Sequence, residues 1–176
     1  MICHGPTFAE VQADYVKSLE NKYGSKITEY SVRYKKRGWT PPYVRAVFAN
    51  GKIYDNPFYE TELGYSFQTY SRESCYSCKC NGLDHVADLT IGDYWGVKPG
   101  TQSYNKNGVS LIFARTEKGK DLLRQIDTIK FIVGDADLNL ALGNNRMFEI
   151  SRVKSPYHES FGYDFLRTWA PLCMSP

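Results

Sequence analysis

Residues 72–96 read RESCYSCKCNGLDHVADLTIGDYWG. Three of the chain's five cysteines, Cys75, Cys78 and Cys80, lie within six positions of one another. Two residues between Cys75 and Cys78 let a tight turn aim both sulfurs at one point, a spacing that metal sites use. Cys80 stands two beyond Cys78, so in an extended chain both side chains face the same way. Ala87 to Ile91 then reads as a strand, closed by Gly92. A thiol-rich turn feeding a glycine-bounded strand predicts a metal centre pinned to the edge of a core. Reduced structural thiols are the plainer alternative, because cysteine often behaves as a small buried hydrophobe.

The rest of the chain bounds that reading. At 176 residues it is long enough for one domain with its own core. Twenty-two basic residues oppose 19 acidic ones, which implies no general attraction to nucleic acid or to a membrane surface. No apolar run approaches the roughly 20 residues of a bilayer span, and no secretory leader follows Met1. An odd count of cysteines, three of them close together, suits a reducing, cytoplasmic setting with metal ligation better than a disulfide framework. The abrupt opening Cys3-His4-Gly5-Pro6 reads as the interior of a larger protein, so a fragment is expected.

Thr7 and Glu10 form a capping-box pattern with Pro6 just outside it. Phe8, Val11, Tyr15 and Leu19 then recur at helical spacing as far as Gly24, predicting a helix over 8–23. Cys3, His4 and Gly5 therefore precede a helix N-terminus, where amide groups favour an anion or a thiolate. Cys3 reads as a cluster ligand, as a contact to a cofactor phosphate, or as an ordinary loop residue. Residues 27–34 alternate as a strand. Lys35-Lys36-Arg37-Gly38-Trp39 is a solvated turn or, with an exposed Trp39, a grip for an anionic ring. Tyr43 to Ala49 and Lys52 to Tyr54 flank Asn50-Gly51, a strong hairpin signal. Residues 57–70 carry a weaker helical pattern.

Beyond the thiols, Asp88 and Asp93 flank the strand as possible ligands, acids or bases, although Asp93 equally suits a turn. Tyr94 and Trp95 either wall a planar-ligand pocket or seal the core. Gly108 to Ala114 is strand-like, and Thr116 opens a helix to about Ile126 with Leu122, Leu123 and Ile126 inward. Lys118 and Lys120 in its first turn oppose the dipole, a conflict that a phosphate or solvent would remove. Ile129 to Val133 reads as a strand and Asp137 to Leu142 as a short helix. Aromatic residues Tyr157, Phe161, Tyr163, Phe165 and Trp169 mark 151–176 as a tail that packs on the body or on a partner. Strands alternate with helices, so the expected fold is α/β or α+β, a single domain with a mixed β-sheet flanked by helices. His4, His85 and His158 are scattered and suggest no acid–base pair, while His85 is placed to be a fourth zinc ligand.

Five pieces, in order, resemble one family. They are Cys3-His4-Gly5-Pro6, Arg33-Tyr34-Lys35, Gly38-Trp39, Ser74-Cys75-Tyr76-Ser77-Cys78-Lys79 and Asp88-Leu89-Thr90-Ile91-Gly92-Asp93-Tyr94-Trp95-Gly96. The family is the coenzyme F-420 hydrogenase/dehydrogenase beta-subunit family, in its C-terminal domain, and the resemblance runs from residue 1 to about 126. It implies an iron–sulfur flavoprotein module that passes electrons between a cluster, a flavin and a redox partner protein or deazaflavin coenzyme. Cys75 and Cys78 are then cluster ligands, with Cys3 and Cys80 as further candidates, since a [4Fe–4S] cubane usually takes four thiolates. The implied flavin, FAD rather than FMN, lies near the strand ending at Gly92 and Asp93, with Trp95, His4 and Gly5 as further contacts. Similar chains carry an aromatic residue where Cys80 stands, and an upstream region, often with a ferredoxin-like segment, precedes the matched part. A non-catalytic domain with structural zinc on Cys75, Cys78, Cys80 and either His85 or Cys3 is the alternative, followed by a metal-free scaffold.

Overall fold

Tyr15, Val44, Ala46, Phe48, Tyr54 and Leu63 share one buried cluster, and the elements that carry them follow from local chemistry. Helix α1 spans Ala9–Tyr23 and ends where Gly24 takes a left-handed φ of 63°, a conformation glycine adopts without steric penalty. Strands β1 (Ile27–Tyr34), β2 (Tyr43–Phe48) and β3 (Ile53–Pro57) form an antiparallel sheet in the order β1-β2-β3. The β2–β3 reversal uses Asn50 and Gly51 as expected. Gly51 has φ 79°, and the Asn50 side chain accepts from the Lys52 amide at 3.1 Å. Along β2 every second residue, Val44, Ala46 and Phe48, is buried against α1 and its neighbours.

The structure is a computed structural model that describes residues 3–82, 86–126, 133–148 and 150–162. Helices and strands interleave throughout, the mixed α/β class that the pattern predicts. All strand pairs among the described residues are antiparallel and fall into a three-stranded and a two-stranded sheet, in place of one mixed sheet. The chain divides into two compact units. One unit takes Gly5–Tyr76 and the described residues from Val153 onward. The other takes Cys3, His4 and the described residues of Ser77–Arg152.

In the first unit, the expected helix over 57–70 is a 3-10 turn, Phe58–Glu60, followed by α2, Glu62–Thr69. Thr61 separates them because its hydroxyl accepts from the Gly64 amide, a side-chain N-cap. The Thr7/Glu10 capping box does not form. Phe8 is the N-cap residue of α1 and has no side-chain cap bond, while the Thr7 hydroxyl donates to the Tyr70 carbonyl at 2.8 Å. Thr7 pairs with Ser71 in an isolated bridge instead. Trp39 is buried, which overturns the exposed grip for an anionic ring. Beside it, Arg37 lies over the Tyr43 ring and 3.5 Å from the Asp55 carboxylate.

In the second unit, β4 (Leu89–Asp93) and β5 (Ser110–Ala114) pair antiparallel, with Gly92 opposite Leu111. Helix α3 (Glu117–Arg124) follows Thr116, whose hydroxyl accepts from the Gly119 amide. Its buried position is Gly119. Leu122, expected inward, is 47% exposed, because the helix approaches through the side without a side chain. A Cβ at Gly119 would collide with the Asp88 carbonyl. Helix α4 (Leu138–Asn144) is capped by the Asp137 carboxylate, which accepts from the Leu140 amide. Tyr94, Leu111, Ala141 and Phe148 form the buried core of this unit. The strand expected from Ile129 lies, up to residue 132, outside the described residues, as do Tyr163, Phe165 and Trp169.

Polar tips complete the tyrosine-rich core of the first unit. The Tyr15 hydroxyl donates to the Tyr54 hydroxyl at 2.9 Å in a buried setting. Tyr15→Phe is therefore expected to lower stability by about 1–2 kcal/mol, read as a lower urea midpoint at unchanged slope. Burial pushes the Tyr30 hydroxyl up to about 12 and raises Tyr15 well above its ordinary value. Unfolded tyrosine ionises near pH ~10, so this contribution is fully present below that pH and is lost as pH rises toward the folded values. Urea stability is expected to fall between about pH 10 and 12, with these two rings ionising last in a tyrosinate absorbance titration.

Candidate functional site

The thiol turn opens on a 3-10 helix, Glu73–Cys75, anchored at Arg72, whose amide donates to the Pro6 carbonyl at 3.3 Å. The Cys75 amide returns to the Arg72 carbonyl at 2.9 Å. Cys75 belongs to the first unit, and the boundary falls after Tyr76. Cys78, Cys80 and Cys3 belong to the second. Cys75 and Cys78 are half-buried, while Cys3 and Cys80 are exposed. Lys79 and Cys80 lie in a turn, so the extended geometry that would aim Cys78 and Cys80 alike is not adopted. His85, the alternative zinc ligand, lies outside the described residues.

Within the second unit the turn is tied down from the far end of the chain. The Ser151 hydroxyl donates to the Cys78 carbonyl at 2.9 Å. The Gly82 amide donates to the Met147 carbonyl at 3.0 Å, and the Asn81 side chain reaches the Met147 sulfur. The neighbouring Arg152 guanidinium donates to the His4 carbonyl at 2.5 Å. Each of these cysteines is a soft thiol at or near the surface, a ligand type that iron–sulfur clusters and zinc both select.

The residues of the strand motif differ in burial. Tyr94 is 4% exposed, and its hydroxyl accepts from the Asp137 amide at 2.8 Å. It therefore seals the core rather than walling a pocket. Trp95, Gly92 and Asp93 are half-buried at the end of β4. Asp88 serves the fold. The Thr116 hydroxyl donates to it at 2.6 Å and the Lys118 ammonium stands 3.3 Å away. These two hold its carboxyl below the usual range. The positive charge in the first turn of α3 is thus answered from within the protein: Lys118 by Asp88 and Lys120 by Glu117.

A second constellation lies in the first unit and was not legible in the sequence. His158 is 4% exposed, and its Nε2 sits 3.1 Å from the Ser71 carbonyl. Glu73 Oε1 is 3.6 Å from Nε2 and Glu159 Oε1 is 3.7 Å from Nδ1. Lys154 Nζ bridges the two carboxylates at 3.1 and 2.7 Å. Hydrogen bonds to both glutamates raise the Lys154 ammonium above its ordinary value and lower Glu159. The group borders a cleft of about 680 Å³, lined also by Phe8 and Tyr70, which stack at 4.6 Å between centroids. The residue pair His158-Glu159 was the one signal available. Nothing in the sequence points from it to Glu73.

The class of the chain comes from its family match, which is to a redox beta subunit. The chain belongs to the family formed by the C terminus of the coenzyme F420 hydrogenase/dehydrogenase beta subunit, whose model matches residues 1–136. No curated protein and no solved structure gives a significant match. Among the described residues, no helix is long and apolar enough to cross a membrane.

Ser151→Ala removes the hydroxyl that fixes the Cys78 carbonyl. A lost hydrogen bond of about 1 kcal/mol corresponds to roughly a fivefold change in local opening. Cys78 is expected to react correspondingly faster with a thiol reagent, measured by mass spectrometry of the alkylated protein under native conditions.

Proposed function

We propose that this chain is the C-terminal part of an iron–sulfur flavin oxidoreductase, carrying electrons between a cluster, a flavin and a redox partner. The observation that carries this reading is the surface-near set of cysteines, together with a Gly92-Asp93-Tyr94-Trp95 strand end, in a chain that matches the family along residues 1–136. The family match puts Cys75 and Cys78 forward as thiolate ligands, with Cys3 and Cys80 as further candidates. A [4Fe–4S] cluster and FAD supply the electron-carrying chemistry when bound. Ser151 steadies the Cys78 backbone, and Arg152 steadies the backbone at His4.

A flavin, when bound, would meet backbone without a side chain at Gly92 and an apolar ring at Trp95. Asp93, His4 and Gly5 would be its further polar contacts. The partner is a redox protein or a deazaflavin coenzyme, and an upstream region, ferredoxin-like in part, supplies the remainder of the flavin site. Reduced thiols at the surface suit a cytoplasmic setting.

Anaerobic expression tests the reading. The protein is expected to be brown, with iron and acid-labile sulfide in stoichiometric amounts, and Cys78→Ser is expected to lose the cluster absorption with the fold retained by circular dichroism. A colourless protein holding zinc on the same thiols would overturn the electron-transfer role in favour of a structural metal.

A further inference from the structure

The Glu73, His158 and Glu159 group is independent of the cysteines, and its chemistry is different. One ligand atom from each of the three lies within 4.8 Å of the others. Protein–metal bonds of about 2.0–2.2 Å to nitrogen and oxygen set ligand atoms at most ~4.4 Å apart, so small rotations of two exposed glutamates bring the three onto one ion. His158 gives the observation that acidic side chains alone would not. It is 4% exposed, and its Nδ1 is buried without a hydrogen-bond partner. The Ser71 carbonyl at 3.1 Å from Nε2 takes the ring proton on that nitrogen. In the neutral ring Nδ1 then carries the lone pair, 3.7 Å from Glu159 Oε1. A buried acceptor with nothing to accept is a group awaiting a cation.

We propose that Glu73, His158 and Glu159 form a binding site for a divalent cation of the Mn²⁺ type, with open coordination positions facing the Phe8–Tyr70 cleft. Two carboxylates and one imidazole suit manganese, whereas the soft thiols of Cys75, Cys78 and Cys80 do not. The Lys154 ammonium stands between the carboxylates at 2.7 and 3.1 Å. It supplies the positive charge that two adjacent carboxylates require, and it must swing into solvent when the ion enters. Its side chain is 40% exposed, which leaves it room to do so. The cleft carries a ring stack beside the ion, so an aromatic ligand with an anionic oxygen fits both features.

Titration of the full chain with Mn²⁺ alone, followed by the electron paramagnetic resonance of the free aquo ion, tests the site. One ion per chain is expected to bind. Lys154→Met removes the competing charge and is expected to tighten binding on the order of tenfold. Glu159→Gln and Glu73→Gln, both at exposed positions, are each expected to weaken it about tenfold or more, with circular dichroism unchanged. Cys78→Ser is expected to leave the affinity as it was. No binding by the native chain at millimolar Mn²⁺ would overturn the proposal. So would binding that survives Glu159→Gln and Glu73→Gln, or binding lost in Cys78→Ser, which would put the ion on the thiols. None of these results depends on a cluster or flavin being present.

Discussion

Burying tyrosine is the constraint under which both cores are built. A tyrosine ring contributes a large apolar area, but its hydroxyl must find a partner or be stranded at a cost of about 1–3 kcal/mol. In one unit Tyr15 and Tyr54 satisfy each other across α1 and the β-sheet. In the other, Tyr94 meets the Asp137 backbone, and the same aspartate caps α4 through its side chain. Each hydroxyl thus fixes the position of an element as well as filling space. Tyr30 is the exception, with its buried oxygen unpartnered near Tyr54.

The segments governed by period or by turn chemistry were legible in the sequence. Helix α1, the Asn50-Gly51 reversal, β4, β5 and α4 lie within a few residues of their expected places. What failed was decided by tertiary contact. Thr7 does not cap the helix because its backbone is drawn into a bridge with Ser71, where its hydroxyl donates to the Tyr70 carbonyl. Leu122 turns outward because Gly119 lets α3 sit close against the Asp88 carbonyl. Trp39 is covered although basic residues precede it. The spacing of Cys78 and Cys80 suggested side chains that face alike, and the Lys79–Cys80 turn that prevents it was not legible. The His158 group was invisible because its partner Ser71 is 87 residues distant along the chain, and spacing rules reach only a turn or two.

Charge is handled locally in both units. Asp88 answers Lys118, Glu117 answers Lys120, and Glu73 and Glu159 share Lys154. Exposed pairs of this kind contribute little to stability. Their effect is to cancel fields that would otherwise act on a helix end or on two close carboxylates. This is why first-turn lysines in α3 need no bound phosphate.

The interleaved make-up of the two units has a consequence for dissection. Each is assembled from separate stretches of chain, with boundaries after His4, Tyr76 and Arg152. A protease cut in the Tyr76–Ser77 turn would therefore liberate neither body, since each severed piece holds only part of both. The peptides flanking that nick would stay associated through non-covalent contacts alone, as complementing fragments do. The two buried cores nevertheless lie in contiguous stretches, 15–63 and 94–148, so a hybrid that swaps Ser77–Arg152 would carry one whole core and leave behind, of the described residues of its unit, Cys3 and His4.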